Sequence, residues 1–106
     1  MTPLNDQAAA EAFLAQPGPR WILKHSNTCP ISSAALDEVE AHLAAQPLPA
    51  ALVVVQEARP VSNWLAAHLG RVHQSPQLFL IDGGQVRWAV SHWSITAEAM
   101  TAARRA

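Results

Sequence analysis

The side chain best suited to covalent chemistry is Cys29, the only cysteine among 106 residues. It stands in the segment Trp21-Ile22-Leu23-Lys24-His25-Ser26-Asn27-Thr28-Cys29-Pro30-Ile31-Ser32, where an apolar run ends and a helix is due to begin. A helix start presents backbone N–H groups without partners and the positive end of the helix dipole, and both favour thiolate over thiol. Pro30 suits the first helical position, because its missing N–H would have had no partner there. Free cysteines are usually buried and inert, but one that follows a strand and precedes a proline-started helix is placed for attack on sulfur. Read as a Cys-X-X-Cys box, Cys29 to Ser32 has serine where a second, resolving cysteine would stand. A lone thiol can open a disulfide, but it cannot free itself by internal closure.

The neighbouring residues have both a chemical and a plainer reading. Ser32 either donates a hydrogen bond to the Cys29 sulfur or is a solvated residue of the first helical turn. His25 would favour the thiolate if protonated, although a half-exposed histidine at a strand end is the simpler account. Lys24, the sole lysine, faces the other side of its strand and reads as a solvated edge residue. Metal binding has little support, since five histidines and one cysteine include no two ligands at motif spacing. Phosphatase chemistry has less, because residues 29–36 contain no arginine and no glycine-rich loop to cradle a phosphate.

Composition narrows the partners. Half the residues are apolar, enough for one domain over residues 1–106 with a single core. Seven Lys+Arg against eight Asp+Glu give a formal charge of −1 with no basic run, which argues against nucleic acid and against an anionic membrane surface. The longest apolar runs, such as Ala50 to Val55, are too short to span a bilayer, and no basic segment followed by an apolar one opens the chain. A single cysteine excludes an internal disulfide. An exposed thiol fits a reducing, cytoplasmic setting.

The elements that must position Cys29 alternate along the chain. Asn5 or Asp6 can cap a helix running to about Gln16, with Phe13 and Leu14 on its apolar side, and Pro17-Gly18-Pro19 ends it. A strand over Trp21 to His25 precedes a helix from Pro30 to about Ala45, where Ile31, Ala35, Val39 and His42/Leu43 recur at helical spacing. Leu52 to Val55 reads as a strand buried on both faces, as a central parallel strand would be. Arg59 to Leu69 forms a shorter helix closed by Gly70, carrying Val61, Trp64, Leu65 and Leu69 on one side. Gln77 to Ile81 and Gln85 to Ser91 form a hairpin about Asp82-Gly83-Gly84. Thr96 caps a last helix, with Ile95 and Met100 as a hydrophobic staple. The order α-β-α-β-α-β-β-α predicts an α/β domain with a mixed four-stranded sheet, a βαβ unit followed by a ββα unit, helices on both faces and an extra N-terminal helix.

That order, with a cysteine after the first long strand and an X-Pro step before the third, resembles a thioredoxin fold. Three segments carry a closer resemblance: Lys24 to Ser32, Arg59-Pro60-Val61-Ser62-Asn63, and Ser75-Pro76-Gln77 running on to Ser91-His92-Trp93-Ser94-Ile95-Thr96. Together they are similar to the monothiol bacilliredoxins. The resemblance implies a thiol-disulfide oxidoreductase that removes bacillithiol from protein mixed disulfides. It implies Cys29 as nucleophile, with Thr28, Pro30 and Ser32 supporting it, and no bound cofactor. Bacillithiol would be the co-substrate, bacillithiolated proteins the partners, and a bacillithiol disulfide reductase system would restore the pool. It further implies a cis peptide bond at Ser75–Pro76, packed beside the cysteine so that the preceding backbone can pair with substrate.

Arg59, Asn63, His73 and Trp93 are available to line a groove for the thiol's sugar and acid groups, arginine reading a carboxylate bidentately. For each of the four, packing or solvation is the plainer account, and Trp64 and Trp88 belong to packing. Two rival readings stand beside exchange. One is an iron–sulfur carrier like the monothiol glutaredoxins, although their Cys-Gly-Phe-Ser box differs at Pro30-Ile31. The other is a noncatalytic thioredoxin-like module that binds protein through the hairpin or the Pro76 loop.

Overall fold

The structure, a computed structural model, describes residues 1–106. Its elements are β1 (Thr2–Pro3), α1 (Gln7–Ala15), β2 (Arg20–His25), α2 (Pro30–Ala45), β3 (Ala50–Val54), α3 (Arg59–Leu69), β4 (Gln77–Asp82), β5 (Gln85–Ser91), a 3-10 turn (His92–Ser94) and α4 (Ala97–Arg105). The expected four strands are five, in the order β1-β3-β2-β4-β5. The addition is β1, which pairs parallel with β3 through Thr2↔Ala51 and Pro3↔Leu52. Two residues are too few for any period to be legible, which is why only the structure reveals this strand.

Local chemistry accounts for most boundaries. Asp6, rather than Asn5, caps α1 by accepting the Ala9 N–H at 2.8 Å. Gly83 and Gly84 make the two-residue hairpin with φ of 62° and 77°, left-handed conformations that a side chain would strain. Thr96 caps α4 by accepting the Ala99 N–H at 3.0 Å, and the buried pair Ile95 and Met100 brackets that cap as a staple does. β2 runs parallel to β3 and antiparallel to β4. Its side chains therefore enter a core on each face.

One core, on the α1/α3 face, gathers Ile22, Val53, Phe79, Val61 and Leu65 with Phe13 and Leu14. The other, on the α2/α4 face, gathers Trp21, Leu23, Leu78, Leu80, Ala35 and Val39 with Ile95 and Met100. Burying a large apolar side chain is worth roughly 1.5–3 kcal/mol, so these two layers dominate the stability of the sheet. The connection from β2 passes through α2 on one face, and the connection from β3 passes through α3 on the other. Adjacent parallel strands whose crossovers diverge leave a crevice at their carboxyl ends. Cys29 and Arg59, which introduce the two helices, stand on either side of it.

Candidate active site

Cys29 is the N-cap residue of α2, with extended backbone (φ −112°, ψ 122°) and Pro30 opening the helix behind it. It is partly exposed. No capping hydrogen bond of full geometry closes on the sulfur, but the first-turn amides act on it as dipoles. The Ser32 N–H is the largest influence holding the thiol below its ordinary pKa; burial opposes it, and the Ile31 N–H and the Ser32 hydroxyl assist. Ser32 is fully buried, which removes the reading of a solvated first-turn residue. Its Oγ accepts the Ser26 N–H at 3.2 Å, so the hydroxyl proton remains free to point at sulfur.

The loop leading to Cys29 is pinned by Gln56, in the turn two residues beyond β3. Gln56 Oε1 accepts the Asn27 N–H at 3.2 Å, and its Nε2 donates to Ser26 Oγ at 2.6 Å and to Thr28 Oγ1 at 3.2 Å. Thr28 Oγ1 also lies 3.3 Å from Ser26 Oγ. Sequence reasoning did not find Gln56, because a glutamine after a strand belongs to no motif. Its position two residues beyond β3 is the only signal.

Ser75–Pro76 is a cis peptide. The β2–β4 register ends at Lys24↔Gln77, and one step further places His25 opposite Pro76. On the other side of β4 the Pro76 carbonyl accepts the His92 N–H at 3.1 Å. His25, Pro76 and His92 therefore form a row across the end of the sheet from which the Cys29 loop emerges. Two buried polar atoms in this region, His25 Nδ1 and Ser75 Oγ, have no hydrogen-bond partner. A half-exposed, acidified thiol at the sheet end beside a cis-proline strand can exchange with a disulfide presented in the crevice.

Comparison with known proteins adds the lineage. Residues 2–100 match the family of the monothiol bacilliredoxin BrxC. The chain belongs to the monothiol bacilliredoxin family. A solved structure described as an oxidoreductase with a thioredoxin fold superposes on this bacilliredoxin with a TM-score of 0.93 at 28% identity, covering 97% of this chain and 92% of that one. Oxidised mitochondrial thioredoxin 3 from Saccharomyces cerevisiae gives a TM-score of 0.78 at 14% identity over 96% of this chain and 91% of its own. Fasciola hepatica thioredoxin gives 0.74 at 18% identity over 99% and 95%. Family and fold together make the bacilliredoxin a thiol oxidoreductase built on the thioredoxin fold.

Several side chains of this bacilliredoxin lie elsewhere than expected. Lys24 is not a solvated edge residue: it is 0% exposed, because β2 is central and α3 covers that face. Burial pushes its pKa down to about 8. His25 is buried rather than half-exposed, at 8%. Trp93 is 70% exposed, over a cleft that Ala34, Asp37, Glu38 and His92 also line. Asn63 is exposed, and Trp64 stacks on His68 with ring centroids 4.5 Å apart. Trp88 packs edge-on against Trp21. The largest cavity, about 460 Å³, lies at the hairpin end between Leu14, Trp64 and Gly84, away from Cys29. No three His, Cys, Asp or Glu side chains come together as metal ligands would.

Proposed function

We propose that this bacilliredoxin removes bacillithiol from protein mixed disulfides, with Cys29 as the nucleophile. The observation that carries the reading is the pairing of an acidified thiol at the start of α2 with a buried Ser32 where a resolving cysteine would be. The Cys29 thiolate attacks the bacillithiol sulfur; the S–S bond to the target breaks, and the target cysteine leaves as a thiolate that takes a proton from water. Cys29 then holds bacillithiol as a mixed disulfide. A second bacillithiol thiolate attacks that disulfide, regenerating the Cys29 thiolate and releasing bacillithiol disulfide, which a reductase system returns to the thiol. Bacillithiol is thus a co-substrate and no resident cofactor is needed.

Thr28 and Pro30 hold the approach to α2, and Ser75 and Pro76 flank the bound disulfide. The partners are bacillithiolated proteins in a reducing, cytoplasmic environment. Intact-mass measurement after incubation with a bacillithiolated protein tests the reading. The expected result is a bacillithiol adduct on Cys29, removed by a chase of reduced bacillithiol, with no adduct on Cys29→Ser. An unmodified wild-type chain with the target still bacillithiolated would refute it.

A further inference from the structure

Lys24 is a buried cation without an acidic partner. It is completely buried, yet no carboxylate lies within ion-pair distance; the only ion pair in the structure joins Arg87 and Asp82. Its Nζ sits 2.8 Å from His73 Nδ1, and Ser62 Oγ, also buried, lies 3.2 Å from the same nitrogen. An ammonium group has donors only, so Nδ1 must accept and the imidazole proton resides on Nε2. His73 itself is exposed, as is Arg59. Desolvation of the ring on the side that meets Lys24, then the charges of Lys24 and Arg59, push its pKa down and so favour the neutral imidazole. Glu57, the acidic residue nearest Arg59 in the chain, makes no ion pair. The first turn of α3 adds its own positive end, since its N-cap is Ala58 and no side chain caps it.

A buried charge without a counter-ion costs stability, and here Lys24, His73 and Arg59 stand near one another with no carboxylate paired to any of them. Their position says which molecule would bring one. Arg59 opens α3 and Cys29 precedes α2, on opposite sides of the crevice at the carboxyl ends of β2 and β3, and Gln56 joins the two rims. A molecule joined to the Cys29 sulfur and lying across those strand ends would reach towards the α3 side of the crevice, to which Arg59 belongs and near which His73 stands.

We propose that Arg59 and His73, backed by Lys24, form a carboxylate subsite for the acidic end of the low-molecular-weight thiol exchanged at Cys29. The inference rests on the exchange reading above. The Arg59 guanidinium presents a planar fork to the carboxylate. His73 offers Nε2–H, its orientation set by Lys24 and Ser62 from behind. Lys24 is a positioning residue, not a contact.

The test uses one carrier peptide as two mixed disulfides, with bacillithiol, which bears carboxylates, and with 2-mercaptoethanol, which bears none. Wild type should prefer the bacillithiol adduct in kcat/KM by about tenfold, the worth of one charge-assisted hydrogen bond. Arg59→Gln and His73→Gln should bring that ratio close to one, chiefly through KM. In parallel, malate is titrated into the Cys29→Ser chain and followed by NMR, and the Arg59 and His73 side-chain signals should shift. A wild-type ratio near one, or variants that retain the preference, overturns the subsite. If neither adduct reacts, a malate shift supports the subsite while the exchange reading fails, and no shift overturns both.

Discussion

The Ser32 hydroxyl accepts the Ser26 backbone N–H at 3.2 Å, closing the loop that carries Cys29 onto the first turn of α2. One buried side chain thus fixes the loop and assists the thiolate. Ser32→Ala should raise the Cys29 pKa and leave the buried Ser26 donor unpaired, at a cost of about 1–3 kcal/mol in stability. Iodoacetamide alkylation rates against pH should show the titration moving upward, and urea unfolding should show the lower midpoint.

Replacing the same residue by cysteine alters the reaction itself. In Ser32→Cys a second thiol stands where internal closure becomes possible, so the bacillithiol adduct on Cys29 should no longer accumulate. Mass spectrometry should find instead a chain lighter by the two hydrogens of a disulfide, together with free bacillithiol. Persistence of the adduct at wild-type levels would mean that the geometry does not permit closure.

Lys24 makes stability depend on pH in a defined window. Its folded pKa of about 8 lies below the model-peptide value of 10.5, so the unfolded chain binds the proton more tightly. The destabilisation is absent above pH 10.5, grows as the pH falls towards 8, and is complete below. Lys24→Met should flatten this dependence and be more stable near neutral pH by about 1–2 kcal/mol, because an apolar residue replaces a buried unpaired charge. Denaturant midpoints at pH 7.5 and 10 would check both statements; a midpoint difference between the two pH values as large in Lys24→Met as in wild type would contradict them.

Gln56 should govern the mobility of the loop rather than the fold. Gln56→Ala removes its three hydrogen bonds to residues 26–28, at a net cost of about 1–2 kcal/mol. Hydrogen exchange at the Asn27 amide should accelerate while the amides of β2 remain protected, and Cys29 alkylation should lose part of its enhancement. Unchanged exchange at Asn27 would show that the loop holds its shape without Gln56.

In the staple of α4, Met100 is fully buried against the α2/α4 face. Met100→Ala should cost about 2–5 kcal/mol by leaving a cavity. The chevron of the variant would show whether α4 docks before or after the folding transition state.

The features that could be read from the chain are those with local signatures. Pro30 behind Cys29, Gly83-Gly84 in the hairpin and Thr96 before α4 each constrain the backbone within a few residues, and each stands where its chemistry demands. What could not be read depends on what lies across the sheet. Lys24 alternates correctly along β2, yet alternation does not reveal that both faces of that strand are covered. Ser32 is buried because α2 packs down on the Ser26 loop, a tertiary fact. His73 meets Lys24 across 49 positions of sequence, a contact for which one chain carries no signal.

The two residues of β1 have a consequence for behaviour at high concentration. They form one margin of the sheet, and Pro3 has no N–H to offer. A strand from a neighbouring molecule would meet a template two residues long that lacks a donor at one of them. Edge-to-edge polymerisation therefore has little purchase on that margin.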